Sequence, residues 1–382
     1  MQLLMIPGPT NMPREVLQAL SLPAVGHRTP EFYEVIKEVT VGLKKIYRTK
    51  NDLFMLTSSS TGAMEAAVAN FVNQGDKVIV MENGNFGERW VKLNNSYGAD
   101  VEVISGVWGE QADPEILKKR ISADHGQEIK AVFVTHNETS TGVTNDLKAL
   151  REALGEHPAL FIVDAISGMA VSPLKVDEWN LDVVVSGSQK AFMIPPGLSF
   201  ISVSPRAWAK SEQVTNPRFY FDLRAAAKSF EKSTTPYTPA TCLILALRES
   251  LKLIEKEGLQ NVYKRHQFYK QVIRTAAKAL GLNLLTNEKS ASCGVTAIKK
   301  PTAIDPQTIV KIMREKHGII IAGGQNRLKG EIFRIGHLGY VSDNDLVVTI
   351  AALERTLLEL GWSFQLGQGI QVVQELLQER MK

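Results

Sequence analysis

The stretch VVVSGSQKAFMIPPG, residues 183–197, places a single lysine in an apolar setting. Three valines read as a buried strand, small polar residues follow, and Lys190 leads into Ala-Phe-Met-Ile and a Pro-Pro-Gly break. A buried, unpaired ammonium is costly, so such a lysine either stays neutral or bonds to something. The strand reading fixes the fold if similar runs recur, and they do. Apolar runs occupy residues 53–56, 77–81, 101–104, 131–135, 160–163, 181–185 and 198–203. Valine- and isoleucine-rich runs, apolar on successive residues, suit strands buried on both faces. Helix-length patterns between several of them indicate an α/β fold with a mostly parallel sheet.

The chain has 382 residues, enough for one large domain and a smaller one. The texture changes near residue 240. Residues 243–280 read as long helix with a break near Gly258, and short strand candidates follow at 292–298 and 332–335. Asp343 is a candidate cap for a helix through Leu360. Ile370, Val373, Leu377 and Met381 recur at helical spacing in the tail. The expected division is an N-terminal segment, 1–16, packing near the smaller domain; a large domain, 17–265; and a smaller α+β domain, 266–382.

Composition excludes several functions. The hydrophobic fraction is 44%, the charged fraction 22% and the net charge +4, with no run of five or more basic residues. Nucleic acid and anionic membrane are therefore not implied as partners. The only cysteines, Cys242 and Cys293, form no CxxC, so a disulfide framework or zinc ribbon is not expected. The start lacks the basic and apolar regions of a secretory signal, and no apolar stretch approaches the ~20 residues of a membrane span. A cytoplasmic location is the expectation. The histidines show no HExxH motif or metal-ligand spacing, so no metal is expected.

In open α/β sheets, ligands bind outside the carboxyl ends of the strands. After 53–56 come Thr57-Ser58-Ser59-Ser60-Thr61-Gly62 and then a helix pattern. Backbone N–H groups, hydroxyls and a helix dipole would make this an anion site, although taken alone a plain Ser/Thr cap with Glu65 in the first turns is the commoner reading. After 160–163 comes Asp164, which alone would cap a turn. Lys190 alone would be a solvated turn lysine, and Phe86 alone a core residue. Together the four describe one ligand: the Ser/Thr loop for a phosphate, Phe86 for a flat ring, Asp164 for a protonated ring nitrogen and Lys190 for a carbonyl. That inventory fits pyridoxal 5'-phosphate.

The ordered motifs IPGPT (6–10), GHRTPEF (26–32), TGAMEA (61–66), NGNFGER (83–89), THNETSTG (135–142), VDAISG (163–168), SGSQKA (186–191), PPG (195–197) and FRIGHLG (333–339) span nearly the whole chain. They resemble the class V, fold-type I aminotransferases, in the alanine–glyoxylate and serine–pyruvate branch. The resemblance implies a Schiff-base role for Lys190 and a pyridinium-partner role for Asp164. It implies a phosphate cup of Ser59, Ser60, Thr61 and Gln189, ring stacking by Phe86 where the branch commonly has Trp, and Thr139 near the ring hydroxyl. It further implies Arg334 as a bidentate clamp for the substrate carboxylate, with Gly8 in the substrate site. Without the resemblance, Arg334 would read as a strand arginine in a surface ion pair. The segment 235–239 resembles a strip that carries Thr238 to a neighbouring subunit's phosphate, in a homodimer with the active site at its interface.

The implied reaction is ping-pong transamination. One convincing clamp favours small monocarboxylic donors such as alanine or serine, with glyoxylate or pyruvate as acceptor. Arg28 or Arg89 could serve a second carboxylate, which would favour aspartate or glutamate. Cyanobacterial relatives named as a soluble hydrogenase subunit suggest another alternative, a non-catalytic subunit of a redox complex. Two separated cysteines cannot themselves hold a nickel–iron or iron–sulfur centre.

Overall fold

The computed structural model describes residues 2–23 and 25–381. Its centre is a seven-stranded sheet of β1 (Asp52–Leu56), β2 (Lys77–Glu82), β3 (Asp100–Ser105), β4 (Ile129–Thr135), β5 (Leu160–Asp164), β6 (Val183–Gly187) and β7 (Ser199–Val203). Their spatial order is β1-β7-β6-β5-β4-β2-β3. Strand β7 runs antiparallel to both of its neighbours, and every other pairing is parallel. Six of the seven strands therefore end at the same edge of the sheet, which is where a ligand site is expected.

Strands β5, β6 and β7 are buried at every residue, as continuous apolar runs require. The run 101–104 departs from that expectation. It lies in β3 at the sheet's edge, and Val103 is 40% exposed. An edge strand has a neighbour on one side only, so its outward residues are left uncovered.

The helix Pro30–Tyr47 starts at Thr29, whose side chain accepts from the Phe32 N–H, with Pro30 in the first turn. Its buried residues, Phe32, Val35, Ile36, Val39, Leu43 and Ile46, repeat at three and four residues and face the sheet core. The helix Ser60–Phe71 is different. Ten of its residues are buried, many of them alanine, so it lies sandwiched with little polar face.

Gly258, at φ +83°, separates the helices Thr241–Glu257 and Leu259–Ala279. The left-handed backbone there is easy for glycine and strained for other residues. Residue 266, the expected start of the smaller domain, lies inside the second helix. Beyond it a three-stranded antiparallel sheet forms from β8 (Val295–Lys299), β9 (Ala322–Gly323) and β10 (Ile332–Gly336), in the order β8-β10-β9. The helix Asp343–Glu359 is capped by Ser342, not Asp343. Ser342 and Asp345 form a reciprocal capping box. The last helix, Gln368–Met381, buries Val373 in an apolar cluster with Tyr269, Phe333, Leu353 and Met5. Met5 joins that cluster because Leu3–Leu4 pairs in parallel with Ile319–Ile320.

Candidate active site

Lys190 follows β6 in a loop closed by its own backbone. The Ser188 N–H donates to the Leu198 carbonyl at 3.0 Å, and the Ser188 hydroxyl donates to the Pro195 carbonyl at 2.7 Å. This turns the Lys190 side chain inward, where Nζ donates to the Pro7 carbonyl at 2.7 Å. Burial, with help from Arg334 and Arg89, lowers the Lys190 ammonium to about 8, against the opposing charge of Asp164. Gly8 lies against this amine. A Cβ there would come within 2.7 Å of Lys190 Cδ and Nζ, and φ is +129°. Only glycine suits both the backbone and the space.

Asp164 ends β5 and is 3% exposed. Its Oδ1 accepts from the Ile166 N–H at 2.8 Å, the turn role that the residue would have alone. Burial raises its carboxyl to about 6, although that hydrogen bond, Arg89 and Lys190 all favour the charged form. Asp164 and Lys190 thus stand at neighbouring strand ends with each pKa displaced toward neutrality.

The Ser/Thr loop is not capped in the ordinary way. Ser59 is the N-cap of the helix Ser60–Phe71, yet no side chain caps it. Glu65 does not close a box either and instead accepts from the Tyr97 hydroxyl at 3.0 Å. The helix N-terminus is left to face the site, with Gln189 Nε2 donating to Ser60 Oγ at 3.0 Å. The end of β6 presses on this turn: a Cβ at Gly187 would lie 1.8 Å from Ser60 Oγ. Thr61 Oγ1 accepts from Arg89 Nη1 at 3.1 Å.

Phe86 and Arg89 come from the helix Asn85–Ser96, with the Arg89 guanidinium 4.8 Å above the Phe86 ring. The sequence offered Arg89 only as a second carboxylate partner. Its place between Phe86 and Thr61 was not legible there, because a helix three residues past an aromatic gives no sign of which face turns inward.

Arg334, in β10, is 4% exposed and is not in a surface ion pair. Its Nε and Nη2 donate to the Gly323 carbonyl at 3.0 and 2.7 Å, and Nη1 donates to the Thr139 carbonyl at 3.0 Å. A guanidinium carries five N–H donors, so one on each terminal nitrogen remains for a ligand. Burial lowers Arg334 to about 10, partly offset by the charge of Glu138. The Thr139 hydroxyl shares a hydrogen bond of 2.5 Å with Ser167.

Thr238 is exposed, and no hydrogen bond among the described residues joins it to Ser60, Thr61 or Gln189. Its neighbour Tyr237 stacks on Tyr220 at 5.3 Å, and the Tyr220 hydroxyl donates to the Thr57 carbonyl at 3.0 Å. Arg28 lies away from the lysine, with Nη1 on Thr234 Oγ1 and the Thr235 carbonyl. Cys242 is in the helix Thr241–Glu257, and Cys293 precedes β8.

The family model for aminotransferase class-V matches residues 3–334. The chain belongs to the class V aminotransferase family. It is 46% identical over 370 residues to the soluble hydrogenase 42 kDa subunit of Anabaena cylindrica, covering 96% of each chain. It is 38% identical over 374 residues to the L-aspartate–glyoxylate aminotransferase of Paracoccus denitrificans, covering 97% of this chain and 94% of the relative. Among solved structures, the ureidoglycine–glyoxylate aminotransferase of Bacillus subtilis superposes with a TM-score of 0.94 at 30% identity, covering 99% of this chain and 98% of that one. Membership of this family implies pyridoxal phosphate chemistry on amino and 2-oxo acids. No helix among the described residues is long and apolar enough to cross a membrane.

Proposed function

We propose that the chain transfers the amino group of a small monocarboxylic amino acid, serine or alanine, to glyoxylate or pyruvate, using pyridoxal 5'-phosphate held between Lys190 and Asp164. The observation that carries this reading is the pairing of a buried, low-pKa amine with a buried carboxylate at adjacent strand ends, beside an uncapped helix N-terminus. The residues fit the group. Lys190 Nζ would take its aldehyde, and the Asp164 carboxylate its protonated ring nitrogen. Ser59, Ser60, Thr61 and Gln189 take its phosphate. Phe86 would stack on the ring, and Thr139 would border its hydroxyl. When bound, the group supplies an aldehyde that exchanges amines and a ring that draws electrons as the α-proton leaves.

The remaining work falls to the chain's own side chains. Arg334 offers one N–H from each terminal nitrogen, the fork that fits a carboxylate. Gly8 leaves room beside Lys190 for the small substrate. Once free, the Lys190 amine takes the proton from the donor's Cα and later returns it, a task suited to a pKa near neutrality. Because Arg89 is engaged with Thr61 and Phe86, Arg334 is the clamp for a single carboxylate. Both glyoxylate-named relatives support that acceptor.

The exposed strip at Thr238 and the stacked Tyr220–Tyr237 pair support a homodimer in which this strip approaches the partner's phosphate cup.

A second reading, an accessory subunit of a redox complex, rests only on the names of relatives, that of Anabaena cylindrica among them. One experiment separates the two. Purified protein supplied with pyridoxal phosphate should be yellow, bleach with borohydride, and convert to the pyridoxamine form with serine or alanine in half-reaction spectra. A protein that stays colourless and inert to the whole amino acid panel would end the enzyme reading.

A further inference from the structure

Glu138 is wholly buried and belongs to none of the roles above. It stands in the two-residue strand Asn137–Glu138, just past the end of β4. Oε2 accepts from the backbone N–H groups of Phe86 and Gly87, both at 3.0 Å. Oε1 accepts from the Ser140 N–H at 3.1 Å and the Ser140 hydroxyl at 2.5 Å. Four donors converge on the carboxylate and favour its ionised form, against burial, which raises its pKa to about 7. Two of them are N–H groups from the first turn of the helix Asn85–Ser96, which have no partner inside their own helix. No side chain caps that helix from Gly84, so a carboxylate 52 residues away along the chain does so.

The backbone has made room for this contact. A Cβ on Gly84 would come within 2.3 and 2.4 Å of Glu138 Cγ and Cδ, and 2.6 Å of Ser140 Oγ. The next residue, Thr139, holds Arg334 Nη1 through its carbonyl. One short turn therefore grips the helix that carries Phe86 and Arg89 on one side and the buried guanidinium on the other.

We propose that Glu138 is a positioning residue, a carboxyl cap that fixes the first turn of the helix Asn85–Ser96 and thereby the tilt of the Phe86 ring against the bound ligand. The proposal rests on the reading of Phe86 as the stacking residue. Glu138 acts through Phe86, whose backbone N–H it holds. Glutamine at 138 keeps the shape but turns an NH2 group toward donors, so one side of the grip is lost. Alanine at 84 leaves the charge in place and pushes the carboxylate away.

Two measurements test this. Amide hydrogen exchange of residues 84–90 in the cofactor-free protein reads the cap directly, without reference to any ligand. Glu138→Gln and Gly84→Ala should each exchange at least tenfold faster there than wild type. Titration with pyridoxal phosphate, followed by absorbance and visible circular dichroism, reads the ring. Both variants should bind at least tenfold more weakly, with an altered dichroic band, and Glu138→Asp should not rescue them because it is one methylene too short. Unchanged exchange in both variants would overturn the cap. Faster exchange with wild-type affinity and an unchanged dichroic band would overturn the positioning role. If wild type itself binds no pyridoxal phosphate while exchange still responds, the proposed cofactor has failed and the cap stands.

Discussion

Lys190 Nζ lies 2.7 Å from the carbonyl oxygen of Pro7, so the first ten residues close over the amine that ends the β6 loop. A carbonyl accepts a hydrogen bond from an amine or an ammonium alike, and it neither neutralises the charge nor compensates burial as a carboxylate would. The low pKa follows from burial, which that partner leaves uncompensated. Attachment of added cofactor to the cofactor-free protein needs the neutral amine. Its rate should rise with pH through about 8 and level off above, measured as growth of the visible band. Lys190→Ala should show no band and no turnover.

Asp164 gives a prediction with a definite sign. Its folded-state carboxyl is raised from 3.8 to about 6. Between those values the folded chain holds more protons than the unfolded chain, so this group's contribution to stability falls as pH rises through that window. Asp164→Asn does not titrate. The melting temperature of the cofactor-free variant relative to wild type should therefore be higher at pH 8 than at pH 4, as read by calorimetry. In the loaded enzyme the same change should cut turnover about 100-fold or more while cofactor content falls far less.

Arg334→Lys keeps a charge and loses the fork. It should raise the KM for the amino donor by roughly 10- to 100-fold, the usual value of a charge-assisted pair, with a smaller effect on cofactor affinity. Arg89→Met should behave in the opposite way. Its partners are Thr61 and Phe86, so it should weaken cofactor binding and alter serine and aspartate kinetics in the same proportion. A selective loss with aspartate would identify Arg89 as a second carboxylate clamp.

Sedimentation should give a particle of twice the 42.2 kDa chain mass. Thr238→Ala should leave that mass unchanged and weaken retention of the phosphate. A monomer that retains full activity would remove the shared-site arrangement.

The strand-forming runs were legible because uninterrupted Val/Ile sequence suits burial on two faces. The strand-end rule then located Asp164, Lys190 and the Ser/Thr loop. What escaped was set by tertiary neighbours. Residues 101–104 look like a central strand, and only the sheet order makes them an edge. Asp343 looks like a cap, but the hydroxyl of Ser342 one residue earlier reaches the N–H that needs it. Glu138 stands in a quoted motif, yet its work depends on Gly84, and no local pattern pairs residues 54 apart. Arg334 reads as a surface residue until the carbonyls of Gly323 and Thr139 are seen to enclose it.

The pairing of Leu3–Leu4 with Ile319–Ile320 has a bearing on biosynthesis. The ribosome makes Pro7 and Gly8 more than 300 residues before the strand that anchors them. A nascent chain with all seven central strands already emerged would still have an unroofed amine. Competent pockets therefore arise only after Ile319 and Ile320 have emerged, and termination before Ile319 leaves a protein that can fold its sheet yet cannot seat Pro7 and Gly8 over Lys190.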